Sequence, residues 1–216
     1  MKLCLINHTF RYELEKLIRI FLPFEKIEFF DTYEISENTA LTILSEEEKK
    51  AVAKLYIGDK LYEREMEIEE GEDYQKECEL KLALALFECF VEATDYLPGW
   101  GILTGVRPAK LYSRLRKTMG DKADKYFKET LRVSEKKLSL CKEAVLGEDK
   151  IISLSKGDSF SLYISIPFCP TRCSYCSFVS HSVTHAKKLI PQYVELLCEE
   201  LKITAEIAKS LKLTLQ

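Results

Sequence analysis

Residues 160–180 read FSLYISIPFCPTRCSYCSFVS and place Cys169, Cys173 and Cys176 within eight residues. Pro167 and Pro170 flank the first cysteine. Each fixes φ and removes a backbone donor, so the stretch around Cys169 stays out of helix. Just upstream, Phe160, Leu162, Ile164 and Ile166 alternate with Ser161, Tyr163 and Ser165. That period is a strand with one apolar face and one polar face. If this strand opens a parallel β/α barrel, the apolar face meets covering helices and the polar face lines the interior. The cysteine loop then leaves at the C-terminal end, where barrel enzymes carry their chemistry. After the loop, Lys187–Leu211 reads as a long amphipathic helix, with Ile190, Val194, Leu197, Leu201, Ala208 and Leu211 on one stripe. Strand, cysteine loop and helix together read as a first β/α unit.

Two kinds of metal suit three thiolates at this spacing. Zinc normally takes four ligands, and His181 or His185 can supply the fourth. An iron–sulfur cube held by three thiolates leaves one iron open to a small-molecule ligand. The other five cysteines, Cys4, Cys78, Cys89, Cys141 and Cys198, are scattered singly beside apolar residues and read as small buried hydrophobes. The N-terminus, MKLCLINHTFRYELEK, turns charged too soon for a signal peptide, so a cytoplasmic location and no disulfide framework are expected. No run of about 18 apolar residues predicts a membrane span. The net charge of −3 argues against a nucleic-acid binder driven by bulk electrostatics.

Outward from the loop, the chain divides by period. Residues 1–70 read as a small α/β accessory domain. Its strands are expected at Lys2–Asn7, Lys26–Phe30, Ala40–Leu44, Ala51–Ile57 and Lys60–Ile68, with a helix over Tyr12–Leu22 and a hairpin turn at Gly58-Asp59. The acidic stretch from Glu63 to Asp73 reads as a solvated strand end. Residues 71–150 read as a helical connector. Its first helix is expected to end at Pro98-Gly99, its second to start near Pro108, and its third and fourth to cover Lys122–Leu131 and Glu135–Leu146. Ser134 is the expected cap of the fourth, and Gly147 its expected close. GWGILTG lacks the spacing of a phosphate loop. Arg107, Lys110, Arg114 and Lys117 share one helix face, read as a solvated face opposite Leu111 and Leu115. The sharper alternative is a dock for an anionic partner, such as a carboxylate-bearing substrate or RNA. Residues 151–216 read as the start of the barrel. The fold class is therefore α/β: a small α/β domain, a helical connector and the first β/α unit of a partial barrel.

C-x-x-x-C-x-x-C, with Tyr175 just before the last cysteine, resembles the radical S-adenosylmethionine (SAM) signature. YISIPFCPTRCSYCSF is similar to the Y-x-H-I-P-F-C-x-x-x-C-x-Y/F-C segment of the oxygen-independent coproporphyrinogen III dehydrogenase family. GWGILTGVRPAKLY resembles the HemZ branch of that family. The resemblance is closest over 160–180, looser over 97–150 and weak over the first 70 residues. It implies that Cys169, Cys173 and Cys176 bind a [4Fe–4S] cluster whose open iron takes the amino and carboxylate groups of SAM. One electron then cleaves the sulfonium bond, and the resulting 5′-deoxyadenosyl radical removes hydrogen from substrate. Tyr163 matches the family's strand tyrosine near SAM, and Tyr175 and Phe178 flank the adenine or pack the loop. The implied partners are a tetrapyrrole substrate and a flavodoxin or ferredoxin electron donor.

Two departures bear on substrate. Ser165 stands where the dehydrogenases usually have histidine, and Phe178 where they carry a further cysteine. Relatives that act as haem chaperones also lack that cysteine. The family's Gly-Gly-Gly-Thr-Pro strand end, expected after the first helix, would begin near Thr214-Leu215-Gln216, so residues 1–216 alone are expected to be inactive. The expected function is oxidative decarboxylation of coproporphyrinogen III to protoporphyrinogen IX. The alternatives are a haem-binding chaperone of the same family and a zinc-stabilised binding module.

Overall fold

The computed structural model describes every residue except Glu72, Gly105, Val106, Ser174 and Tyr175. The alternating segments of the first 70 residues form one sheet. Its strands are β1 (Lys2–Ile6), β2 (Glu28–Phe30), β3 (Asn38–Ser45), β4 (Lys50–Ile57) and β5 (Lys60–Glu67), with helix α1 (Arg11–Phe21) between the first two. The strand order is β2-β1-β3-β4-β5. β1 runs parallel to β2, which requires the crossover that α1 provides, and parallel to β3. β3, β4 and β5 form an antiparallel meander. Gly58 supplies the positive φ (+56°) for the two-residue turn between β4 and β5. The carboxylates of edge strand β5 face outward and pair across the ladder, Glu63 with Lys54 at 2.7 Å and Glu65 with Lys50 at 3.2 Å.

Because side chains alternate, one face of the sheet collects Leu3, Leu5, Ala40, Leu44, Ala51, Ala53 and Leu55. Against it pack Leu14, Leu17 and Ile18 of α1, and Leu82, Leu86, Phe87 and Phe90 of helix α2 (Tyr74–Thr94). Phe21 stacks on Phe90, with ring centroids 5.0 Å apart, and ties the two helices together. Asp73 caps α2 by accepting the Lys76 N–H at 3.3 Å. The helix stops at Thr94, short of the expected Pro98-Gly99, because Asp95 already takes the left-handed conformation (φ 51°).

The next helices are α3 (Pro108–Met119), α4 (Lys122–Lys125), which continues as one π turn over Tyr126–Thr130, and α5 (Glu135–Ile152). Pro108 opens α3 as expected, and Ser134 Oγ accepts the Lys137 N–H at 3.4 Å. Gly147 does not close α5, which runs on to Ile152. A glycine ends a helix by turning left-handed, and Gly147 is not among the glycines with positive φ. Tyr112, Phe127, Leu131, Leu138, Cys141 and Val145 form a second core. The glycine-rich segment closes it through its backbone. Ser134 N–H donates to Gly99 O at 3.0 Å, Ile102 N–H donates to Leu131 O at 3.1 Å, and Gly101 has φ +57°. A Cβ on Gly101 would lie 2.0 Å from Leu131 O, so the close approach of two backbones requires glycine.

The chain separates into two compact units, Met1–Gly147 and Glu148–Gln216. In the second, strand β6 (Ser159–Phe160) pairs in parallel with β9 (Thr214–Leu215) across helix α7 (Ile190–Ser210). The mixed strands and helices agree with the α/β class read from the sequence, but the expected strand over 160–166 is paired only at its start. Ser159 sits opposite Thr214 and Phe160 opposite Leu215, and Gln216 N–H donates to Phe160 O at 3.1 Å. Residues 161–166 have no described strand beside them, and a strand needs a partner to be one. Leu162, Ile164 and Ile166 are accordingly exposed. On α7, Ile190, Leu197, Leu201 and Ala208 turn inward, whereas Val194 and Leu211, placed on the same stripe by sequence, are exposed. Among the described residues no helix is long and apolar enough to cross a membrane.

Replacing Gly101 by Ala should destabilise the first unit by about 3 kcal/mol or more, through strain at positive φ and displacement of Leu131. Gly147→Ala, where an added Cβ meets nothing within 4 Å, should stabilise α5 by about 1 kcal/mol. Urea denaturation midpoints read both signs, and equal effects would contradict the packing described.

His8 offers a pH test. Its Nε2 lies 3.1 Å from Thr42 Oγ1, and burial pulls its pKa down to about 4. Between that value and the ordinary 6.5, the unfolded chain takes a proton that the folded chain refuses. The His8 contribution is therefore complete above pH 6.5 and is lost as pH falls toward 4, about 3 kcal/mol in all. A titration by NMR should give a midpoint near 4, and His8→Gln should flatten this part of the stability profile; a midpoint near 6.5 would contradict the burial.

Candidate functional site

The cysteine loop is built on a short backbone bridge. Strand β7 (Phe168–Cys169) pairs in parallel with β8 (His181–Ser182), placing Phe168 opposite His181 and Cys169 opposite Ser182. The His181 N–H also donates to Pro167 O at 2.8 Å. Residues 170–180 thus leave and return at one place, with Cys169 at the base and Cys173 and Cys176 in the loop. Cys176 N–H donates to Cys173 O at 3.0 Å. Chain folding at this spot follows from the prolines: Pro170 cannot donate to a ladder, so β7 ends where the loop begins.

Helix α7 anchors the base. Tyr193, in its first turn, meets the Phe168 ring edge-on at 5.1 Å, and its hydroxyl donates to Ser165 O. Sequence reasoning did not single out Tyr193. The available signal was an aromatic in the first turn of a helix opened by Pro191, close in sequence to the loop it must hold.

The eight cysteines, all free, fall into two environments. Cys4, Cys78, Cys89 and Cys141 are buried, and burial pushes each thiol pKa up, that of Cys89 to about 12. They remain protonated at neutral pH and make poor ligands. Cys173 is exposed, and Cys169 and Cys176 are half-buried. Cys198, grouped by sequence with the buried hydrophobes, is exposed on α7 because it lies off the inward stripe.

The remaining site residues stand as follows. Tyr163 and Phe178 are 79% and 70% exposed. Tyr175 lies outside the described residues. His181 is on β8 and His185 on the short helix α6 (Val183–Ala186), both exposed. Among the described residues no three His, Cys, Asp or Glu side chains converge as a metal-holding group. Cys169 sits at the foot of the loop, and a backbone hydrogen bond links Cys176 to Cys173.

Over 91 residues the chain is 36% identical to the oxygen-independent coproporphyrinogen-III oxidase-like protein HemZ of Bacillus subtilis (strain 168). The match covers 39% of this chain and 18% of HemZ, so it spans less than a fifth of that relative. No protein-family description matches the chain, and no solved structure does. The chain is thus similar over part of its length to a coproporphyrinogen oxidase-like protein, in agreement with the resemblance carried by its motifs.

Thiol labelling under native, metal-free conditions checks the two environments. Cys173 and Cys198 should react first, Cys169 and Cys176 next, and Cys4, Cys78, Cys89 and Cys141 only on unfolding, as mapped by peptide mass. Early labelling of Cys89 would contradict the burial.

Proposed function

We propose that this chain carries the cluster-binding segment of a radical SAM enzyme of the HemZ type, acting in oxidative decarboxylation of coproporphyrinogen III to protoporphyrinogen IX. The observation that carries the reading is the set of three free thiols on one loop closed at its base. The donor set fits an iron–sulfur group: none of the three is oxidised to a disulfide, and none is sealed in an apolar core. Cys169, Cys173 and Cys176 would hold a [4Fe–4S] cluster, leaving one iron for SAM. Such a cluster, when bound, supplies the electron that cleaves SAM and starts hydrogen abstraction from substrate.

The chain's own residues bind and orient. The Phe168–His181 bridge and the Tyr193 contacts hold the foot of the loop, where Cys169 sits. Tyr163, upstream of the loop, and Phe178, within it, are exposed and would be available to SAM, with Tyr175 as the third aromatic of the set. A tetrapyrrole substrate, a flavodoxin or ferredoxin donor and a cytoplasmic location belong to the same proposal. Phe178 in place of a further cysteine favours a second reading, a haem-binding chaperone of the same family. A zinc-stabilised binding module is the third.

The test is anaerobic reconstitution of residues 1–216 with iron and sulfide. The chain should bind about four of each, with a broad absorbance near ~400 nm. Cys173→Ala should abolish the chromophore, and Cys89→Ala should leave it intact. Stoichiometric zinc that iron does not displace would overturn the cluster reading. A cluster-bearing protein that binds haem tightly, yet cleaves no SAM in response to coproporphyrinogen, would move the function to the chaperone.

A further inference from the structure

A cavity of about 570 Å³ in the first unit takes its walls from α1, α2, α3, the π turn after α4 and the segments at residues 69–71 and 102–104. Its volume lies in the range of small-molecule sites, about 300–1,000 Å³. Leu17, Leu80, Ala83, Ile102, Leu111 and Leu131 give it an apolar lining. Glu13 and Glu79 add carboxylates to it. Each lies one helical turn before an apolar lining residue, Leu17 or Ala83, so charge and apolar surface share a helix face.

These two carboxylates stand apart from the others of the unit. Glu15, Glu77, Glu88 and Asp124 are also half-buried, and each is held in an ion pair. Among the described residues neither Glu13 nor Glu79, both half-buried, has a cation within ion-pair distance. The other acids of the lining do not change this: Glu70, Asp73 and Glu77 are paired with Lys49, Lys76 and Lys81, and exposed Glu69 adds negative charge. Burial raises the Glu79 pKa above its ordinary value, and the charge of Glu13 raises it further. Lys76, bound by Asp73, opposes the shift to a smaller extent. Two desolvated like charges cost stability, and no described contact offsets them. A lone metal ion is disfavoured, because among the described residues no three metal-ligating side chains converge. We propose that this cavity binds a small organic amine, with its ammonium on Glu13 and Glu79 and its apolar body on the leucine-rich lining. The three N–H donors of an ammonium suffice for both carboxylates. The inference rests on the first unit alone and does not depend on the cysteine loop.

Calorimetric titration of residues 1–216 with tryptamine, an indole carrying an ammonium, tests it. Binding should be saturable. Tryptophol, which has a hydroxyl in place of the ammonium, and methylammonium, which has the charge without the apolar body, should each bind at least about tenfold more weakly. Glu13→Gln with Glu79→Gln should weaken tryptamine at least about tenfold. Glu143→Gln with Glu148→Gln, an equal charge change at exposed positions outside the lining, should weaken it less than about twofold. The urea midpoint of the first double variant should be unchanged or higher, because two desolvated, repelling charges are removed. Equal weakening by both double variants would overturn the proposal in favour of bulk charge. Tryptophol binding as tightly as tryptamine would overturn it in favour of an apolar cleft, and methylammonium doing so in favour of any cation. A lowered urea midpoint, or no tryptamine binding, would also overturn it.

Discussion

The packing of α2 on the sheet is what the first unit depends on. Leu82, Leu86, Phe87 and Phe90 are essentially fully buried, and they seal the apolar face that β1, β3 and β4 build by alternation. Burial of each such side chain is worth about 1.5–3 kcal/mol. Without α2 that face would be open to water, with only α1 to cover it. The same helix fixes Glu88, which bridges to Arg64 of β5 and to Arg132 beyond the π turn, and so ties the sheet to the second core. These exposed pairs add little energy by themselves, but they register one element against the next.

The second unit is held differently. Among its described residues only Ala186 and Ala208 are buried apolar positions, so no comparable core organises it. Backbone rungs do the work instead: β6 with β9, β7 with β8, and the Tyr193 hydroxyl on Ser165. The foot of the cysteine loop is accordingly held by backbone pairing, and Cys173 beyond it is exposed.

Much of this was legible in the sequence because the signals were local. The strands of the sheet and the Gly58 turn followed from period and turn chemistry, and Pro108 and Ser134 marked helix starts. Readings failed where a distant or conformational fact decided. Asp95 ended α2 by going left-handed, which its residue type permits but does not announce. Gly147 stayed helical because nothing called for a left turn there. The alternation at 160–166 is present, yet a strand is defined by its neighbour, and the described neighbour reaches only Phe160. Cys198 and Tyr193 show the same limit: one lies off a stripe and the other on it, and only the direction of α7 distinguishes them. At the candidate site spacing singled out the three cysteines, whereas the bridge at the foot of their loop joins Phe168 to a histidine thirteen residues away and left no mark in the local pattern.

The central claim is that three thiolates hold a cluster with one iron left open. Electron paramagnetic resonance of the reconstituted, reduced protein, recorded before and after addition of SAM, tests it most directly. The account predicts a reduced-cluster signal whose g values shift when SAM is added, and loss of the signal in Cys173→Ala. A signal indifferent to SAM, or a diamagnetic protein holding one zinc, would contradict it.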